Sequence, residues 1–192
     1  MSGNLFIKCF LLLMAGLLVS GMGRAHAAVI EGVTFPDSVQ AGAMRLKLQG
    51  TGLLRYKILF RGYVAALYHQ DPTPKDGTPQ GRRLEIEYFW DIPAEEFRIA
   101  TRKGIQMNTS SESYAALVPD IRAFNQFYRD IRSGDRYSLT YMPTQGTELA
   151  LNGQALGSIS GNIFANALFG IWLGAQPLDE SLKKKLLGDE TS

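Results

Sequence analysis

The chain has 192 residues, a formal net charge of +2 and a single cysteine, Cys9. It lacks the basic excess expected of a nucleic-acid binder. One cysteine allows neither an internal disulfide nor a cluster of thiolates around a metal.

The first stretch, MSGNLFIKCFLLLMAGLLVSGMGRAHA, reads as a secretory signal. Lys8 precedes an apolar run over residues 9 to about 22, and Ala25-His26-Ala27 supplies the small residues of an A-x-A cleavage site. The run falls short of the roughly 20 residues of a membrane span. Residues 1–27 are therefore expected to be cleaved, with no span remaining and residues 28–192 forming one exported, periplasmic domain of about neutral charge. A domain of that size buries a core without covalent staples.

VIEGVTFP predicts a short strand ended by Pro36, and MRLKLQG a strand with Leu46 and Leu48 on one side and Arg45 and Lys47 on the other. Gly50 and Gly52 mark a turn or bulge, and YKILFRGYVAALY reads as a long strand. HQDPTPKDGTPQGRR is a surface loop, followed by RRLEIEYFW, in which Leu84, Ile86, Tyr88 and Trp90 alternate with Glu85, Glu87 and Phe89. A helix is predicted through AEEFRIATRKGIQM, with Asp91 as its cap and Pro93 in its first turn. A second runs from about Ser111 through YAALVPDIRAFNQFYRDI, divided or kinked at Pro119. Three strands follow, DRYSLTYMP, TELALNG and QALGSIS, the last two joined by an Asn152-Gly153 hairpin. Two helices close the chain, GNIFANALFGIWLG and LDESLKKKLLG, the latter capped by Asp179 and stopped by Gly188. Strands and helices segregated in this way predict an α+β fold, an antiparallel sheet with helices over one face.

Catalytic signatures are sparse. His69 is the only histidine after the signal and is read as an exposed residue at a loop edge. No G-x-S-x-G elbow, phosphate loop or cluster of metal ligands is present, so neither metal nor cofactor is expected. Glu85 and Glu87 share one side of their strand and are read as a solvated outer face rather than an acid–base pair. Between Met44 and Gln70 five cations, Arg45, Lys47, Arg55, Lys57 and Arg61, occur without one acid. Strict alternation puts Arg45 in water. A bulge at the glycines, or helices on the side opposite Leu46 and Leu48, turns it inward, where a guanidinium suits a carboxylate.

At AVIEGVTFPDSVQAGAMRLKLQGTGLLRYKILFRGYVAALY the chain resembles the chalcone isomerase family, most closely its bacterial exported branch. FNQFYRDIRSGDRYSLTYMPTQGTELALNG and FANALFGIWLGAQPLDESLKKKLLG extend the resemblance over nearly all of the mature chain. It implies an open-faced β-sandwich, an antiparallel sheet with helices packed over one face and a ligand cleft between. In the plant enzymes an Arg on the corresponding strand holds a substrate oxygen during ring closure, and in plant fatty-acid-binding members it holds the carboxylate. That Arg falls on Arg45 here. The enzymes' strand Thr is replaced by Ile58-Leu59-Phe60 and their helix Thr by Ile171 or Gly170. Of their Tyr and Asn on the middle helix only Asn108 has an echo. The resemblance therefore implies a non-catalytic binder of a small amphipathic or acidic ligand such as a fatty acid. Arg45 is its anchor, and Tyr63, Lys57 and Asn108 are further ligand-binding candidates. The alternatives are an isomerase of chalcone isomerase type and a structural protein whose cleft is packed shut by FGIWLG.

Overall fold

The computed structural model describes residues 27–56, 60–72 and 80–189. Residues 1–26, which hold all but the last residue of the expected signal, Lys57 with Ile58 and Leu59, and the centre of the Pro/Gly-rich loop lie outside them. β1 (Ala27–Ile30) and β2 (Val33–Pro36) form a separate hairpin. β3 (Ser38–Ala41), β4 (Met44–Tyr56), β5 (Phe60–Gln70), β6 (Arg82–Tyr88), β7 (Arg136–Met142), β8 (Gly146–Leu151) and β9 (Gln154–Ile159) form one seven-stranded antiparallel sheet in sequence order. α1 (Ala94–Met107) and α2 (Ser111–Asn125) are inserted between β6 and β7, and α3 (Asn162–Leu173) and α4 (Glu180–Leu186) follow β9. The curled sheet with four helices is the α+β architecture expected.

Each face of the sheet has its own core. Tyr63, Ala65 and Leu67 of β5, Leu84 and Ile86 of β6 and Leu139 of β7 share the phase that packs beneath the helices. Their neighbours Val64, Ala66 and Tyr68 face the other way, onto Val33 and Phe35 of the N-terminal hairpin. Burying each large side chain contributes about 1.5–3 kcal/mol, so the hairpin holds the sheet through Phe35, which is fully buried. The hairpin exists because Glu31 and Gly32 take φ of 51° and 83°, the left-handed pair of a tight turn. VIEGVTFP is thus two strands where alternation predicted one.

A register shift between Leu48 and Gly50 reverses the phase of β4. Before it Leu46 and Leu48 face the hairpin. After it Gly50, Gly52 and Leu54 lie opposite Leu67, Ala65 and Tyr63 on the helix face. The two glycines admit α4: a Cβ at Gly50 would meet the Lys185 carbonyl oxygen, and one at Gly52 would lie 2.5 Å from Leu182 Cδ1. β4 continues to Tyr56 and β5 begins at Phe60, so the connection expected at the glycines falls at residues 57–59.

The outer-face reading of Glu85 and Glu87 is corrected. Their phase is the predicted one, but the hairpin covers it, and Glu85 is only 4% exposed. Arg83 Nε reaches Glu85 at 2.8 Å, and Arg136 joins Glu85 at 3.2 Å and Glu87 at 2.7 Å. The Arg136 guanidinium lies 4.7 Å over the ring of Phe35 in the hairpin. Asp91 does not cap α1; it accepts from Ser133 N, and Asp130 Oδ1 takes the Ala94 N–H instead. α2 passes through Pro119 and stops at Asn125, short of the predicted end. The next residues are drawn to the sheet, where Ile131 bridges Ile92 and the Tyr137 hydroxyl bonds both backbone groups of Arg129.

Candidate functional site

Between the helix face and α1, α3 and the segment after α3 lies a cavity of about 120 Å³. Its floor is three side-chain rows of the sheet: Tyr63 and Tyr88, then Ile86 and Tyr137, then Leu139 and Leu149. Phe97, Thr101, Tyr128 and Trp172 close it from above. Ala100 and Leu178, both exposed, also line it, so the cavity opens between α1 and the residues preceding α4.

The wall is aromatic and uncharged, with its hydroxyls mostly engaged. Trp172 Nε1 donates to the Tyr63 hydroxyl at 3.0 Å, and Thr101 and Tyr128 share a bond of 2.8 Å. The Tyr88 hydroxyl is bonded by none of the described residues; its ring meets Tyr63, Phe97 and Tyr137 edge-on. Burial pushes Tyr63, Tyr88 and Tyr128 well above the ordinary phenol range. Phenols so placed stay neutral and hold ligands by O–H donation rather than by charge.

Beside the cavity, along the open edge of β4, runs a polar groove of about 330 Å³ lined by Glu31, Arg55, Asp179 and Lys185 among others. Glu31 ties Arg55 at 3.5 Å and Arg61 at 3.3 Å, both half-exposed. Groove and cavity adjoin: Asp179 borders one and Leu178 the other, and the Asp179 charge acts on the Tyr63 hydroxyl.

The expected site residues separate. Tyr63 lines the cavity. Arg45 does not: it is exposed, pairs with Gln40 across the edge of the sheet, and belongs to neither cavity nor groove. Its phase is that of the helix face, as the bulge allowed, but it stands two rows beyond Leu139 and past the reach of the helices. Lys57 lies outside the described residues. Asn108 is a clamp rather than a lining residue. Its Nδ2 donates to Gly104 O (3.0 Å) and Gln176 O (2.8 Å), and its Oδ1 accepts from Gln176 N (2.9 Å). It thereby fastens the segment that carries Leu178 over the opening.

Several residues were missed. Trp172 sits in the predicted closing helix, whose aromatic run does pack against the opening as FGIWLG implied, yet leaves the cavity beneath it. Tyr128 lies in the irregular stretch after α2, a stretch that the sequence placed within the second helix. Arg55 and Lys185 gave no signal beyond charge. His69 is half-buried within β5 rather than exposed at a loop edge. Among the described residues no group of His, Cys, Asp and Glu could hold a metal ion, and no helix is long and apolar enough to cross a membrane.

A family described as chalcone isomerase-like matches residues 27–188. The crystal structure of a fatty-acid binding protein from Arabidopsis thaliana superposes with a TM-score of 0.69 at 14% identity, over 85% of this chain and 97% of that one. That likeness is one of fold. No curated protein sequence matches the chain.

Proposed function

The chain belongs to the chalcone isomerase-like family, and from that premise we propose that it is an exported, periplasmic, non-catalytic binder of a small amphipathic carboxylate such as a fatty acid. The tail enters the aromatic cavity. The head group stays at the Tyr63 end, where Arg55 and Lys185 stand in the adjoining groove. The observation that carries this reading is the uncharged wall: thirteen residues line the cavity and none of them is an acid, a histidine, a lysine or an arginine. Proton transfer at neutral pH needs a group that titrates nearby, and the only titratable groups on this wall are phenols driven upward by burial. An apolar chamber beside a polar groove that carries Arg55 and Lys185, with Glu31 and Asp179 on the same wall, offers an amphipathic carboxylate both an apolar space and a cation. Arg55 replaces Arg45 as the anchor because it borders the groove next to the cavity.

Volume bounds the tail. A dry cavity of roughly 150 Å³ holds a benzene, so the space here takes a ring or a few methylenes. A longer chain displaces Leu178 and the segment bearing it.

The test is displacement of a fluorescent fatty acid. Ala100→Trp, at an exposed lining position, blocks the opening and is expected to abolish binding with stability unchanged. Arg55→Gln is expected to weaken binding about tenfold, the loss of one charge-assisted bond. Binding unaffected by Ala100→Trp places the ligand elsewhere and overturns the reading. Turnover of a chalcone by the mature protein overturns it in favour of an isomerase. Export is checked by fractionating cells that express the full chain and sequencing the mature N-terminus.

A further inference from the structure

The helix face carries a fourth row, beyond the three that floor the cavity. Lys47 pairs with His69, His69 with Arg82, Arg82 with Tyr141 and Tyr141 with Thr147 across five adjacent strands. Among the described residues, three of the six buried side-chain nitrogens or oxygens left without a partner fall in this one row: His69 Nδ1, Arg82 Nε and Thr147 Oγ1. Polar atoms left unbonded in a fold are rare, and their concentration in one row marks it as incomplete.

The row is also uncompensated in charge. Among the described residues no carboxylate lies within ion-pair distance of Lys47 or Arg82, whereas Arg83, Arg98 and Arg136 all have acidic partners. Arg82 is held by neutral groups: Asn166 Oδ1 accepts from Nη2 at 2.7 Å, and Phe169 lies beneath the guanidinium at 4.3 Å. These fix its position and supply no anion. Burial works against its charge, and a desolvated cation is costly without a counter-charge. Among the described residues, Asp71 follows the end of β5 beside Arg45 and is exposed.

We propose that Lys47, His69 and Arg82 form a second binding site, separate from the cavity, for an oxyanion of the phosphate type. Strands lie about 4.8 Å apart, so Lys47 and Arg82 rise roughly 10 Å from one another with His69 between them. Both side chains are long enough to reach a ligand bound between them. A tetrahedral oxyanion offers oxygens in three directions and meets a point charge, a planar fork and a ring nitrogen together, as a two-oxygen carboxylate does not. Lys47 and Asn166 are exposed and Arg82 and His69 half-buried, so the row borders solvent, and a ligand reaches the buried Nδ1 and Nε by shifting the Lys47 or Arg82 side chain. The same chemistry is offered by free phosphate and by the head group of an anionic phospholipid.

The experiment titrates isotope-labelled protein with inorganic phosphate at constant ionic strength and follows the His69 and Arg82 side-chain signals by NMR. Saturable shifts confined to this row are expected, weakened about tenfold by Lys47→Gln and abolished in the Lys47→Gln/Arg82→Gln double variant. Lys47→Gln is at an exposed position and serves where Arg82→Gln fails to fold. Flotation with phosphatidylglycerol against phosphatidylcholine vesicles separates the sources. Binding to the anionic vesicles that the double variant loses identifies a lipid head group, and phosphate binding without it identifies a free anion. Absence of both, or shifts equal in wild type and Lys47→Gln, overturns the proposal. Phosphate has no tail, so the result is independent of whether the cavity takes a fatty acid.

Discussion

Glu85 shows how a single side chain depends on what covers it. It accepts from Arg83 and Arg136 in a layer closed by the hairpin, and both arginines are mostly shielded, at 20% and 27% side-chain exposure. Removing one member of a buried pair leaves the other charges unpaired and costs about 3–5 kcal/mol. Glu85→Ala is therefore expected to lower the free energy of urea unfolding by about 3 kcal/mol, toward the lower end because the arginines keep some water. A loss below 1 kcal/mol would mean that solvent already screens the layer. The strand's alternation was readable, and it placed Leu84, Ile86 and Tyr88 inward as found. What alternation lacks is any information about a second cover: the turn at Glu31 and Gly32 depends on two positive φ angles, for which Glu-Gly is a weaker signal than Asn-Gly. Arg45 lies outside the cavity for the complementary reason. Its phase could be anticipated once a bulge was allowed, but how far the helices extend along β4 is set by α4 seating on Gly50 and Gly52, a long-range contact.

Among elements, the segment between α3 and α4 governs access to the cavity. It is tied to α1 by Asn108, whose amide bonds the Gln176 backbone through both its donor and its acceptor. The family resemblance singled out Asn108, and no sequence pattern distinguishes a lining amide from a clamp. Two such bonds contribute about 1–2 kcal/mol net, the difference between a segment closed nearly always and one that opens often. Asn108→Ala is expected to speed amide exchange at Gln176 about tenfold or more while leaving the core strands protected. The same variant is expected to raise both the entry and the exit rate of a fluorescent fatty acid in stopped flow. Unchanged exchange at Gln176 would show that the bond from Leu178 N to Ile171 O, at 2.9 Å, is sufficient to hold the segment.

For the whole molecule, the aromatic cavity makes stability depend on alkaline pH. Tyr63, Tyr88 and Tyr128 are raised chiefly by burial and are almost wholly enclosed. A raised phenol stays protonated in the folded chain after its unfolded counterpart, near pH 10, has ionised. The stabilisation is complete below that pH and is lost as pH climbs from there toward the folded values. Each such tyrosine removes about 1.4 kcal/mol per pH unit above 10, so the three together remove about 4. Against a total stability of roughly 5–15 kcal/mol, unfolding follows within a few pH units. Circular dichroism and tyrosinate absorbance, followed together on raising the pH, are expected to change in one cooperative step for these residues. Absorbance that saturates for all tyrosines while the dichroism is still native would show that water already reaches the phenols, and with it that the chamber proposed for an apolar tail is wet.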